Sequence, residues 1–214
     1  MHRIRKCNES DFEVIWQIIN DGAQAYKGVI PQDRWKEPYM SRDELRREMR
    51  DGVEFWGFEE YGALDGVMGI QPAKDVTLIR HAYVRTQRQR TGIGARLLAH
   101  LHNLASGPVL IGTWTAASWA IHFYEKHGFR VVGPEQKNAL LRRYWTVPDA
   151  QAAASVVLVD RDAISKSQRK TRPADGDTEC GRLKPGTGGC PGPLYSKICL
   201  FSHKFTRTGG TISL

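Results

Sequence analysis

Gln89-Arg90-Thr91-Gly92-Ile93-Gly94 stands between a strand-like run, Val76–Val84, and a helix-like run, Ile93–Leu104. A glycine-rich turn between strand and helix is a physical device for holding phosphate. Missing Cβ atoms let the backbone bend sharply and approach a bulky anion. The helix start adds unpaired N–H groups at the positive end of its dipole. Arg85, Arg88 and Arg90 crowd the same turn and supply charge suited to a pyrophosphate. A phosphorylated ligand is therefore expected. A Walker loop, Gly-x-x-x-x-Gly-Lys-Ser/Thr, does not occur in the sequence. A dinucleotide site would need Gly-x-Gly-x-x-Gly early in the chain and an acidic residue ~20 positions on. Here Leu97 fills the third small position, and the turn follows at least three strand-like runs.

About thirty residues downstream the chain reads Trp119-Ala120-Ile121-His122-Phe123-Tyr124-Glu125-Lys126-His127-Gly128-Phe129. Ala120, Phe123, Tyr124 and His127 share helical spacing, so the aromatics lie along one side. Gly128 can take the left-handed conformation that ends a helix, and Phe129 opens a strand over 129–132. A further strand, Val109–Trp114, separates this helix from the glycine turn. In that order the two segments resemble the GNAT N-acetyltransferases. Their coenzyme A loop reads Gln/Arg-x-x-Gly-x-Gly/Ala, and a later helix reads A-I-x-F-Y-x-x-x-G-F. The resemblance spans residue 3 to about 160. It implies an α/β (mixed α+β) fold with a mostly antiparallel central sheet flanked by helices, acetyl-CoA as co-substrate, and no metal.

Composition suits one modest enzyme domain over 1–160 followed by a tail. The formal charge is +8, but residues 161–214 carry ten Lys/Arg against four Asp/Glu and so hold +6 of it. Charge confined to a low-complexity segment is usually solvated rather than a reading surface, which argues against nucleic acid and for a disordered tail. Cys7 is alone in the body, a pattern that suits a reducing cytoplasm. Cys180, Cys190, Cys199 and His203 lack the close Cys-x-x-Cys pairs of a strong zinc site. No apolar run has membrane-spanning length, and residues 1–5 lack a signal-peptide core.

The body alternates in an α/β order. Ser10-Asp11-Phe12-Glu13 reads as a capping box before a helix that buries Phe12, Ile15, Trp16 and Ile19 and ends at Asp21-Gly22. Ser41-Arg42-Asp43-Glu44 is a second box, opening a helix with Leu45 and Met49 inward. Strands are expected over 4–6, 54–59, 66–71, Val76–Val84 and 155–159, with a hairpin turn near Gly62. A polar loop is expected after Val132.

The resemblance implies direct transfer of an acetyl group from acetyl-CoA to a primary amine, on a small molecule, a peptide N-terminus or a lysine. Anchoring would fall to Gln89, Arg90, Thr91, Gly92, Ile93, Gly94 and Ala95. The pantetheine arm would pair with Ala82, Tyr83 and Val84, whose N–H groups can also face the thioester oxygen. Tyr124 matches the family's helix tyrosine, proposed as general acid; a phenol with a reference pKa of ~10 is protonated at neutral pH. For the base, His81 has a suitable ordinary pKa of ~6.5, though alternation places Arg80 and His81 on opposite strand faces. Glu59, Glu60 or a water chain are alternatives, and His122 and His127 read as helix-surface residues. Ala117 stands where many members carry an asparagine, with Thr115 or Ser118 beside it as a substitute or a cap. Trp114 and Trp119 bracket the site. Tyr26, Trp35 and Tyr39 would receive the acceptor, opposite Arg142-Arg143-Tyr144-Trp145, by stacking or by caging an ammonium. The same residues also admit a coenzyme-binding module without transfer activity, and they leave a homodimer open.

Overall fold

A computed structural model describes residues 1–145 and 147–160; the tail over 161–214, with its candidate zinc ligands, lies outside them. The element order is β1(His2–Lys6), α1(Phe12–Gly22), α2(Arg42–Arg50), β2(Glu54–Glu60), β3(Ala63–Ala73), β4(Val76–Val84), α3(Ile93–Leu104), β5(Val109–Trp114), α4(Ser118–Lys126), β6(Phe129–Val131), α5(Pro134–Tyr144), α6(Asp149–Ala153) and β7(Ser155–Asp160). The strands form one sheet in the order β1-β2-β3-β4-β5-β7-β6. Every pairing is antiparallel except that of β4 with β5. That exception follows from the α3 crossover, which returns the chain in the same direction.

Strand alternation divides the apolar residues between two cores. Ile79, Ile111 and Leu158 meet Leu97, Leu98 and Leu101 of α3 and Tyr124 of α4. Their chain neighbours Leu78, Leu110 and Val157 face the other way, onto Leu141 and Tyr144 of α5. On that second side Ile15, Ile18 and Ile19 of α1 and Leu45 of α2 cover Phe55 and Val67. Each such fully buried aliphatic contributes roughly 1.5–3 kcal/mol.

The polar loop expected after Val132 is instead helical, as α5 and α6. Pro134 starts α5, where its missing N–H costs nothing. Only Leu141 and Tyr144 of that helix are buried, too narrow a stripe to announce a helix in sequence. The first capping box is also relocated. Asn8 is the cap: its side chain accepts from the Ser10 N–H at 2.9 Å, and Asp11 accepts from the Asn8 N–H at 2.9 Å. Two Arg5 hydrogen bonds hold Asp11 at 2.7 and 2.8 Å, so the box sits two residues earlier than Ser10. Within α1, Ile15, Ile18 and Ile19 are buried. Trp16 and Phe12 lie at the rim, under the guanidinium groups of Arg42 and Arg46.

The second box is where the sequence places it, with Ser41 and Glu44 capping each other at the start of α2. Ser41→Ala is expected to cost about 1 kcal/mol, seen as a lower denaturation midpoint at unchanged slope. The hairpin near Gly62 also forms, with Tyr61 and Gly62 at φ 50° and 81°, the left-handed pair that a tight turn requires.

What positions the site is an irregularity in β4. Its register with β3 runs Gly69↔Arg80 and then Val67↔Tyr83, so β4 carries one extra residue there. The bulge falls at His81, whose φ is 49°. The parallel pairing with β5 stops just before it, the last partners being Ile79 and Ile111. The two strands diverge and leave a cleft at the carboxyl end of the sheet.

Candidate active site

The cleft is lined by Tyr26, Ile79, Arg80, His81, Ala82, Tyr83, Ile111, Gly112, Thr113, Tyr124 and Trp145. Its floor follows from β4. The Arg85 N–H bonds the Asp65 carbonyl at 2.9 Å, on the β3 side. Successive residues alternate, so the N–H groups of Val84 and Ala82 face the diverging side. Of the three residues expected to meet a pantetheine arm, those two present backbone to the cleft, and Tyr83 presents its ring.

At the far end of β4 the chain turns into α3. Gly92 caps the helix in the left-handed region, at φ 86°, with no side-chain hydrogen bond. The first helical bond runs from the Arg96 N–H to the Gly92 carbonyl at 3.1 Å. The N–H groups of Ile93, Gly94 and Ala95 precede it and have no helical partner. A Cβ on Gly94 would sit 3.5 Å from the Phe123 ring, an ordinary contact, so packing alone does not demand glycine there. Open space and three aimed donors fit an anion.

The arginines are not equivalent. Arg88 pairs with Glu60 and, at 3.1 Å, with Asp65, and Arg85 donates to the Leu64 carbonyl at 3.1 Å. The charge of Arg88 is balanced within the fold, whereas Arg85 meets only a neutral carbonyl. Arg90, exposed at φ 63°, has no ion pair among the described residues. Gln89 donates to the Val84 carbonyl at 3.3 Å, and the Thr91 hydroxyl to the Arg88 carbonyl at 2.7 Å. Both brace the turn.

Tyr124 reaches the cleft from α4, with only 7% of its surface exposed. Burial alone pushes its phenol above the ordinary range, so the hydroxyl stays protonated at neutral pH. Ala117 is fully buried at the N-cap of the same helix, which has no side-chain cap. Neither Ser118 nor Thr115 caps it.

The bulge overturns the expectation that Arg80 and His81 point apart. Ala82 and Val84 pack on the α3 core, whereas Tyr83 packs towards α1. The extra residue therefore puts His81 on the same face as Arg80, and both meet Glu48 of α2. Arg80 Nη2 lies 2.8 Å from Glu48 Oε2, and His81 Nε2 lies 3.2 Å from it. Arg80 Nη1 also donates to Gln71 Oε1 at 3.0 Å, and Gln71 donates on to the Asp51 carbonyl at 2.8 Å. Burial pushes the His81 pKa below its ordinary value despite the carboxylate, and the Glu48 pKa is lowered by His81 and Arg80 against its burial. The pair therefore rests as carboxylate and neutral imidazole at neutral pH. Sequence reasoning missed Glu48. The signal available was an acidic residue three positions after Leu45, on the inward stripe of α2.

The other base candidates fall away from the cleft. Glu59 on β2 binds Arg3 and Arg5, and Glu60 binds Arg88. His122 is exposed. His127 is half-buried rather than on the surface, its Nδ1 2.7 Å from the Phe123 carbonyl.

Aromatic residues close the acceptor side. Tyr26 stacks on Tyr39 at 6.1 Å and touches Tyr83 and Trp119 at 6.4 and 5.4 Å. Trp35 lies behind, 5.5 Å from Tyr39. Trp114 is core, its indole N–H 3.5 Å from the Tyr39 hydroxyl, while Trp119 is 42% exposed. Tyr26 lines the cleft; Trp35 and Tyr39 support it. Opposite, Trp145 reaches the cleft, while Arg143 and Tyr144 both bind Asp75. Among the described residues no helix is long and apolar enough to cross a membrane, and no cluster of His, Cys, Asp and Glu could hold a metal ion.

Residues 20–143 match the family model described as an acetyltransferase (GNAT) domain. No curated protein matches the sequence. Among solved structures, the chain is similar to the PaiA N-acetyltransferase of Thermoplasma acidophilum in complex with coenzyme A, at TM-score 0.57 and 16% identity over 75% of this chain and 98% of that one. It is also similar to an acetyltransferase from Streptococcus agalactiae, at 0.56 and 14% over 74% and 97%. The ribosomal-protein-S18-alanine N-acetyltransferase of Escherichia coli matches at 0.54 and 15% over 75% and 93%. At these identities the likeness is one of fold.

Proposed function

Because this chain belongs to the GNAT acetyltransferase family, an acetyl-CoA-dependent group of acyltransferases, we propose that residues 1–160 form one catalytic unit that acetylates a primary amine by direct transfer. The observation that carries this reading is the splaying of β4 from β5 directly between the α3 glycine turn and Tyr124. That opening offers the unpaired backbone of Ala82 and Val84 to a pantetheine arm as an added strand would use it. The N–H groups of Ile93, Gly94 and Ala95, with Arg90 beside them, would hold the pyrophosphate. The thioester supplies an activated acyl carbon. Tyr124 returns a proton to the departing sulfur. His81 takes the proton of the incoming ammonium, leaving a nucleophilic amine. Tyr26, backed by Tyr39 and Trp35, forms the acceptor wall. The setting is cytoplasmic.

The test is thiol release from acetyl-CoA with benzylamine, n-butylamine, a peptide with a free N-terminal alanine and a peptide with an internal lysine. Turnover with any of these is expected. Coenzyme A binding without turnover would replace the reading with a non-catalytic coenzyme-binding module.

A further inference from the structure

We propose that Glu48 is a positioning residue for the transfer reaction, holding His81 in the tautomer whose Nδ1 can accept the acceptor ammonium's proton. The inference rests on the reading of this cleft as an acetyltransferase site. Glu48 and His81 come from different elements, α2 and the β4 bulge, and meet at 3.2 Å with side chains 4% and 7% exposed. A carboxylate can only accept a hydrogen bond. The imidazole nitrogen facing it, Nε2, must therefore carry the hydrogen. Neutral His81 then keeps its lone pair on Nδ1, which has no hydrogen-bond partner among the described residues, and His81 lines the cleft. The ring is held flat by stacking on Phe55, with centroids 5.7 Å apart.

The groups facing the imidazole divide by sign. Glu48 and the more distant Glu44 of α2 favour its protonated form, whereas burial and Arg80 of β4 oppose it. Arg80 keeps Glu48 ionised, and Glu48 in turn can stabilise the imidazolium that forms during turnover. The proton count closes. The ammonium gives one proton to Nδ1, which passes it to solvent. As the C–N bond forms and the C–S bond breaks, the second nitrogen proton is lost, and the sulfur takes its proton from Tyr124, which is reprotonated. The products are amide, thiol and one released proton.

Two measurements on the full chain test this. Long-range proton–nitrogen NMR of the imidazole, without substrate, should show His81 as the Nε2–H tautomer, and its pKa should fall in Glu48→Gln. The pH profile of kcat/KM for thiol release, with the fastest amine of the panel above, should show the acid limb moving to lower pH in Glu48→Gln. The kcat loss should reach up to roughly 10⁴-fold, the figure for removing an orienting carboxylate from a triad. His81→Asn serves if Glu48→Gln fails to fold, because asparagine tolerates the positive φ of the bulge. It should abolish the acid limb while thermal stability is largely kept. An Nδ1–H tautomer, or an acid limb unmoved while only stability falls, would overturn the inference and leave the acetyltransferase reading standing. Turnover with none of the amines would remove both.

Discussion

Tyr124→Phe is expected to lower kcat for acetyl transfer by about 10²-fold or more while coenzyme A binding stays nearly unchanged. The substitution deletes one oxygen from a side chain that is 7% exposed and packed against Phe123 and Phe129. The ring and its apolar contacts remain, so the fold has little to lose. What disappears is a neutral O–H donor at the cleft. Its pKa is raised by burial with no charged neighbour contributing, so in the resting enzyme it is a proton donor rather than an anion. A thiolate can leave unprotonated, which limits the effect to proton transfer and orientation. Isothermal titration with coenzyme A, paired with single-turnover thiol release, separates the two outcomes. An unchanged transfer rate would remove Tyr124 from the chemistry.

The largest effect on stability is expected at Arg80. Arg80→Met should cost about 3–5 kcal/mol, measured by denaturant unfolding at pH 8. Its partner Glu48 is 3% exposed and ionised, and loss of the guanidinium leaves that charge with the neutral His81 and the more distant Arg47. The deficit should shrink as the pH falls. Arg80 is one of the groups that lower the His81 pKa, so the variant raises it, and a protonated imidazole then supplies the missing positive charge. Arg143→Met is the contrast, since the Arg143–Asp75 pair is more than half exposed and screened by water. It should leave the midpoint where it was. A deficit in Arg80→Met that did not depend on pH would mean that His81 does not share the Glu48 charge.

These two sites differ in how far sequence alone leads to them. Tyr124 belongs to a contiguous helix whose spacing and glycine stop are local, so the motif that marks it is written in adjacent residues. Glu48 and His81 are 33 positions apart, and nothing near either one announces the other. The same distinction separates the elements that were legible from those that were not. The leucine stripe of α3 and the Ser41–Glu44 cap are written in a few adjacent residues. Helix α5 buries only two side chains, and its helical state depends on the sheet face they cover. The Asn8–Asp11 cap depends on Arg5, which arrives from β1.

By itself the sequence determined the turn into α3 and the aromatic helix α4. A glycine pair between strand and helix, followed by the Phe123-Tyr124 helix, specifies a left-handed entry into α3 at Gly92 and a glycine stop after α4 at Gly128, because both are local properties of the backbone. Only the tertiary structure decided how the strand before that turn is aimed. Pairing with β3 absorbs one extra residue at His81, and that single insertion reverses the alternation beyond it. It turns His81 onto the face of Arg80 and brings both to Glu48, just past the point where β4 and β5 cease to pair. A bulge is a property of two strands in register, so neither strand read alone could have shown it.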